Sequence, residues 1–351
     1  MKTLSPARSI KDVRLAADRV SFRVEPRTLV VCLILILVTA GLVLVSLSVG
    51  DYPVPFPEVI KSLQGEGSRL AELFVVQRRL PRALVAVVAG IAFGVSGAIF
   101  QRLTHNPLGS PDVIGFGYGA SVGAILVILF YGGGALLTAT GAFAGGLVAA
   151  IAVYVLAYRN GVNGLRLVLV GIGVSAIFIA IINYLVSRAD LRDARAATVW
   201  IVGSLFERRW GDVQLVGFGL LLLIPITVIL SRYLPMLELG DDAAAALGVP
   251  LERARLGLVV VAVGLTAIAT ASTGPIGFVA LAGPQLARRL TRSPGAGLTA
   301  AGLMGALLLV ASDLIARRAA APSELPVGVV TAGVGGIYLG WLLLVHSRRT
   351  T

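Results

Sequence analysis

The sequence predicts an all-α protein that crosses a lipid bilayer about ten times. Of its 351 residues, 57% are hydrophobic and only 14% are charged, whereas about a quarter of the residues in a soluble domain are charged. The apolar residues form ten runs that contain no Asp, Glu, Lys or Arg, and a transmembrane helix needs about 20 mostly apolar residues. The 42 glycines suit helices that pack closely in lipid.

The ten uncharged runs define the expected spans. In chain order they are residues 28–49, 83–100, 113–131, 135–158, 167–187, 213–231, 256–273, 276–287, 295–312 and 327–345. The first run is too long for the core of a signal peptide and no clear cleavage site follows it, so we expect an uncleaved span. Gly274-Pro275 and Gly283-Pro284 flank the short eighth run, and they indicate either helix ends or a broken half-helix.

Basic residues indicate the orientation of the chain. The first 27 residues carry seven Lys or Arg, and basic segments beside a span tend to stay in the cytosol. Because the number of spans is even, we expect both termini in the cytosol. Residues 1–27 and 347–351 are then tails, and residues 28–346 form one membrane domain. The net charge of +12 indicates membrane topology rather than nucleic-acid binding.

The sequence lacks the residues that a membrane protein would need to drive uphill transport by itself. None of its three lysines follows a glycine, which excludes a Gly-Lys phosphate-binding loop. Asp112 and Asp313 are the only acidic residues expected near membrane depth, and Asp313 can pair with Arg317 one helical turn away. One cysteine and two histidines are too few for a zinc site. We therefore expect no enzyme activity and no cofactor. If the chain moves a solute uphill, we expect the energy to come from a partner protein.

Residues 232–255, the coupling loop, lie between two expected spans. Gly240 interrupts the preceding structure, Asp241 and Asp242 suit the first turn of a helix, and four alanines follow. Gly248 and Pro250 end the helix. Helices that lie on a membrane carry large apolar residues on one face and Lys or Arg on the other, whereas the exposed face of this helix is mostly alanine with a pair of acidic residues. We expect a short helix that docks a protein.

Several motifs along the chain carry a family resemblance. They are Arg79-Leu80-Pro81-Arg82, Gly90, Ser96-Gly97, Gln101, Asn106-Pro107-Leu108, Pro111, Gly277-Phe278-Val279, Pro284, Arg288, segments 312–317 and 324–331, and the Ala-Ala-x-x-Leu-Gly pattern from Ala243 to Gly248. From the first span onward, the chain resembles the FecCD-type permeases of ABC importers, which take up iron-siderophores and cobalamin. Each motif alone is weak, and the set is highly specific.

The resemblance implies a transport subunit in the bacterial cytoplasmic membrane. Its implied partners are a second permease, identical or homologous, two cytosolic ABC ATPases, and an extracytoplasmic substrate-binding protein. The residues that would contact the ATPase are Gly240, Asp241, Asp242, Ala243, Ala244, Leu247 and Gly248. In this scheme the ATPases move the coupling loop, and the chain itself performs no covalent chemistry.

The resemblance also implies roles at both membrane faces. Arg79, Arg82 and Arg317 match arginines that pair with carboxylates of the binding protein, although snorkelling arginines would look the same in sequence. The residues expected to form the inner gate are Asn106, Leu108, Asn163 and Gly164. Asn-Pro and Asn-Gly pairs are also common in ordinary turns.

The chain departs from the family pattern at three places. Gln285 follows Pro284 where the family has His, Ala280 stands where Gly is frequent, and Gly336-Ile337 replaces Ala-Pro. By resemblance, the first and third of these differences favour a ferric siderophore as the substrate, with cobalamin or haem as alternatives.

Two functions of other classes remain open at this point. The chain could be a secondary transporter, which would need no ATPase. It could also be an intramembrane serine protease that uses Ser96, within a Gly-x-Ser-Gly sequence, and His346.

Overall fold

Helices form almost all of the secondary structure. The structure is a computed structural model, and it describes residues 11–15, 20–50, 52–112, 114–158, 164–293, 297–319 and 324–347. Before the first helix, β1 (Lys11–Leu15) and β2 (Val20–Val24) pair antiparallel, with Lys11 opposite Val24. This short hairpin was not predicted, and the rest of the described chain confirms the all-α class.

The helices follow in this order. They are α1 (Pro26–Ser48), α2 (Phe56–Gln64), α3 (Arg69–Glu72), a π-helical turn (Leu73–Arg79), α4 (Leu80–Leu103), α5 (Phe116–Tyr131), α6 (Ala135–Ala157), α7 (Gly164–Arg188), α8 (Leu191–Val202), α9 (Trp210–Ser231), α10 (Leu234–Leu237), α11 (Asp241–Ala246), α12 (Leu251–Thr273), α13 (Val279–Thr291), α14 (Leu298–Ala319) and α15 (Val327–Ser347).

Each of the ten uncharged runs falls on one of these helices. Seven helices in the described residues are long and apolar enough to cross a membrane, and Phe116–Tyr131 and Val327–Trp341 are shorter apolar helices. The eighth run corresponds to α13, which has 13 residues and continues through Gly283-Pro284, so this pair does not end the helix. Gly274 does end α12. The multi-pass fold is confirmed, whereas the total of ten spans stays a prediction.

Helix α4 lies at the centre of the bundle because one of its faces is made of glycines. A Cβ added to Gly94 would lie 2.2 Å from the carbonyl oxygen of Ala301, and one added to Gly97 would lie 1.8 Å from that of Ala280. Only glycine permits α14 and α13 to approach this closely. The apolar part of Arg69–Leu103 is 78% buried, against 11% for Pro26–Ser48. Helix α1 therefore lies at the periphery.

The contacts between helix ends define two ends of the bundle. At the end that we call the coupling end, Arg102 contacts Glu238 of the coupling loop, and Arg27 at the start of α1 donates to the carbonyl of Leu290. At the opposite end, which we call the distal end, the indole N–H of Trp210 donates to the carbonyl of Val76. Leu290 belongs to α13, which also contacts the loop after α4 through a bond from Gln285 to Pro107. The start of α1 therefore lies at the same end as the coupling loop.

Candidate functional site

The coupling loop contains the short helix that its sequence predicts. Gly240 has a φ of +97°, helix α11 runs from Asp241 to Ala246, and Gly248 has a φ of +79°. Both glycines adopt a backbone conformation that other residues rarely take. Pro250 stands directly before α12. The predicted start and end of the helix are confirmed.

The surface of the coupling loop is apolar but lies outside the helical spans. The side chains of Leu239 and Leu247 are 65% and 60% exposed, and most of the alanines around them are exposed as well. Ala244 is the exception, since it is fully buried and fixes α11 to the bundle. Of the residues expected to contact an ATPase, Ala244 therefore faces inward. The contact role of the whole set stays a prediction.

Two ion pairs attach the coupling loop to the helices. Asp241 and Asp242 stand in the first turn of α11, as expected. The carboxylate of Asp241 accepts from the guanidinium of Arg255 in α12. Arg102, at the end of α4, donates to both carboxylate oxygens of Glu238, over 2.6 and 3.1 Å. A bidentate pair of this kind fixes orientation as well as distance.

The gate loop, residues 104–109, follows α4 directly. The side-chain oxygen of Asn106 accepts from the backbone N–H of Leu108 over 2.9 Å, which closes a tight turn. This turn leaves Leu108 48% exposed at the tip. A Cβ on Gly164 would lie 2.8 Å from the Cα atom of Thr104, so the two expected gate segments touch. Asn163 lies outside the described residues, and the gate role stays a prediction.

A buried ion-pair cluster occupies the distal end. Asp313, whose side chain is 3% exposed, accepts from two arginines. One of its oxygens accepts from Nε and Nη2 of Arg82, over 3.0 and 2.8 Å, and the other accepts from Nη2 of Arg317 over 2.5 Å. Arg82 also donates to Glu324 over 2.6 Å. The predicted pair of Asp313 and Arg317 is confirmed, while the contribution of Arg82 was not anticipated.

The three arginines expected to dock a binding protein are all buried. Arg79, Arg82 and Arg317 are 7%, 9% and 8% exposed. Arg79 donates to the carbonyls of Leu47, over 2.7 Å, and Tyr52. Their docking role stays a prediction, and it would require guanidinium groups already bonded inside the chain to exchange partners.

A cavity of about 490 Å³ opens at the distal end. Its lining includes Arg192, Asp193 and Trp200 from α8 and Arg208 from the following loop. Arg208 donates to the carbonyl of Ser204 over 3.1 Å. Burial lowers the pKa of Arg208 below its usual value, although an arginine remains charged in proteins. This cavity, which was not predicted, presents an aromatic ring, two cations and one carboxylate to a ligand.

The contacts of Ser96 do not support the protease alternative. Its hydroxyl is fully buried, donates to the carbonyl of Ala262 over 2.7 Å and lies 2.8 Å from the hydroxyl of Thr266. A serine nucleophile needs a neighbouring base and access to a substrate. Both polar neighbours of Ser96 are instead groups that hold α4 against α12.

Comparisons with known proteins agree with this geometry. The profile of the FecCD transport family matches residues 34–345. The chain is 43% identical to the ferric enterobactin transport system permease protein FepG of Escherichia coli (strain K12), over 93% of this chain and 99% of that protein. It is 37% identical to the probable siderophore transport system permease protein YfhA of Bacillus subtilis (strain 168), over 91% and 95%.

A solved structure shows the same fold. A metal-chelate type ABC transporter in an inward-facing conformation superimposes with a TM-score of 0.79 and 26% identity, covering 90% of this chain and 98% of that one. Family profile, sequence relatives and fold all extend over most of the chain, and it belongs to the FecCD transport family.

Proposed function

We propose that this chain is the permease subunit of an ABC importer for a ferric siderophore in the bacterial cytoplasmic membrane. The observation that carries the proposal is the coupling loop, whose exposed apolar surface is attached to two central helices by ion pairs. The relatives with siderophore-related names support the substrate class. Cobalamin or haem remains the alternative substrate, and ATP hydrolysis belongs to the partner chains.

The two ion pairs supply a path for movement from the ATPases to the gate. When the ATPases close on ATP, they displace α11 and the exposed Leu247. The pair of Asp241 with Arg255 carries this displacement to α12, and the pair of Glu238 with Arg102 carries it to the end of α4. Because the gate loop follows Leu103 directly, it moves with α4. The chain thus couples ATP-driven closure to opening of the pathway.

At the distal end, the binding protein delivers its ligand. We retain Arg79, Arg82 and Arg317 as proposed docking residues, which act by releasing part of the buried cluster. Arg78 and Arg318 stand beside two of them in the sequence and are exposed, so carboxylates of the binding protein meet these cations first. A second permease, identical or homologous, completes the pathway.

The proposal is tested by transport with purified components. The chain is reconstituted in proteoliposomes with its ATPase, its second permease and the binding protein, and entry of a ⁵⁵Fe-labelled siderophore is measured. We expect uptake only when ATP, ATPase and binding protein are all present. Uptake that persists without the ATPase would show a secondary transporter instead. ATP-driven uptake of cobalamin, with none of ferric siderophore, would establish the alternative substrate.

The distal cavity is lined by two arginines and one aspartate, and this net positive charge predicts a preference among siderophores. A ferric tris-catecholate is a multiply charged anion, whereas a ferric tris-hydroxamate is neutral. We expect Arg192→Ala to slow uptake of the catecholate about threefold, as for a partly screened charge pair, and to leave hydroxamate uptake unchanged. Arg195→Ala is the matched control because Arg195 is an exposed residue of α8 outside the cavity lining. Equal effects of the two variants would contradict the prediction.

A further inference from the structure

Gln285 lies where three elements of the coupling end meet. It belongs to α13 and is 7% exposed. Its side-chain N–H donates to the carbonyl of Pro107 in the gate loop over 2.7 Å. Its side-chain oxygen accepts from the hydroxyl of Tyr338 in α15 over 3.2 Å. The carboxamide therefore joins the gate loop to α13 and α15.

Neighbouring side chains hold Tyr338 and helix α13 in place. One turn along α13, the guanidinium of Arg289 stacks on Trp341 and Tyr338, 4.6 and 5.7 Å from the ring centroids. Such cation–π contacts fix the Tyr338 ring beside Gln285. On the other side, Gln101 of α4 donates to the carbonyl of Leu281 over 2.9 Å. Helix α13 is thus bonded to the gate loop itself and to the helix that precedes it.

We infer that Gln285 is a positioning residue that makes the gate loop move together with α13 and α15. The inference rests on the proposed function and adds a second attachment of the gate loop, independent of the ion pairs at the coupling loop. Pro107 has no backbone N–H, so its carbonyl is the backbone group through which a side chain can hold the loop at this position. With this bond, displacement of α13 pulls directly on the turn that exposes Leu108.

The bonding pattern dictates which substitutions preserve the attachment. The side chain must donate one hydrogen bond and accept another, which a carboxamide and a neutral imidazole can both do. Histidine at position 285 therefore retains both bonds. Leucine removes both, and phenylalanine in place of Tyr338 removes only the bond to the carboxamide oxygen.

Accessibility of the gate tip provides a readout that stability alone would not change. Cys32 is the only cysteine of the chain, so Cys32→Ala followed by Leu108→Cys gives a parent with one reporter thiol. The parent is assembled with its ATPases and second permease in proteoliposomes. The rate of maleimide modification is measured without nucleotide and in a vanadate-trapped state. We expect several-fold different rates in the two states.

The Gln285 variants are then compared in this parent. We expect Gln285→His to keep the nucleotide-dependent ratio and Gln285→Leu to bring it close to one, while ATP hydrolysis continues. The ratio in Tyr338→Phe should lie between those of the two Gln285 variants. This variant also replaces Gln285→Leu in the test if the leucine variant does not assemble. Gln77→Leu is the control, since Gln77 is an exposed glutamine at the distal end.

Two outcomes would overturn the inference in distinguishable ways. An unchanged ratio in Gln285→Leu, or in Tyr338→Phe if only that variant assembles, would overturn the role of the bond alone. Equal rates in the two states of the parent would overturn the gate assignment and the inference with it. Uptake of ferric siderophore by the wild-type importer, measured alongside, reports separately on the proposed function.

Discussion

Asp313→Ala is expected to destabilise the folded chain by about 3–5 kcal/mol, the usual effect of removing one partner from a buried ion pair. The carboxylate of Asp313 accepts from both Arg82 and Arg317. Without it, Arg82 keeps Glu324 and Arg317 keeps a carbonyl at Ser46 over 3.2 Å. Among the described ion pairs, Arg317 would then have no carboxylate partner, and its buried charge would stand beside that of Arg82. The change in stability is measured as thermal unfolding of the detergent-purified protein.

Glu324→Gln is the matched control for the Asp313 variant. The side chain of Glu324 is 24% exposed and accepts only from Arg82 among the bonds described, so the expected loss is about 1 kcal/mol. If Asp313→Ala and Glu324→Gln lower the unfolding temperature equally, Asp313 is not the centre of the cluster.

The contacts of this buried cluster affect how a charge-reversal experiment at the distal end is interpreted. Arg82→Glu would place a second carboxylate against Asp313, whose side chain is 3% exposed. A loss of binding to the substrate-binding protein would then reflect damage to the cluster as well as a lost docking contact. Measurements of binding by Arg82 or Arg317 variants therefore need a parallel measurement of stability.

The fold was predictable where local composition decides it. A run of about 20 uncharged apolar residues has few alternatives to a membrane helix. Each predicted run accordingly overlaps one helix of the structure. The unpredicted elements are short or amphipathic. Helix α8 carries Arg192, Asp193 and Arg195 in its first half, and α2 carries Glu58 and Lys61 among its apolar residues. Their helicity depends on packing at the distal end, which no local pattern reveals.

In the candidate site too, only the features that local sequence decides were predictable. Gly240, Gly248 and Pro250 specify the ends of α11 through backbone conformation alone, and this signal is local. The ion pairs are not local, because Arg102 and Glu238 are 136 residues apart and Arg82 and Asp313 are 231 apart. The family resemblance marked Gln285 as a departure, because the family has His at this position. Only the fold shows that its partners come from the gate loop and α15.

Breaking α11 is expected to have the largest effect on transport. Ala245 is exposed, so its replacement costs little packing. Proline at this interior position removes a helical N–H and clashes with the preceding turn, at a cost of about 3 kcal/mol. We expect Ala245→Pro to reduce ATP-driven uptake of ferric siderophore at least about tenfold. Insertion and dimerisation should persist, because α11 contributes only Ala244 to the buried core.

Ala245→Ser is the matched control, since serine keeps the helix and adds one small hydroxyl. We expect near-normal uptake from this variant, because α11 keeps its shape and its pair with Arg255. ATP hydrolysis in the proline variant distinguishes two kinds of failure. If the ATPases stay bound and hydrolyse ATP without uptake, transmission through α11 has been lost. If they dissociate, α11 is also needed for docking. Uptake at the full rate in the proline variant would contradict both roles, since the intact helix would then be dispensable.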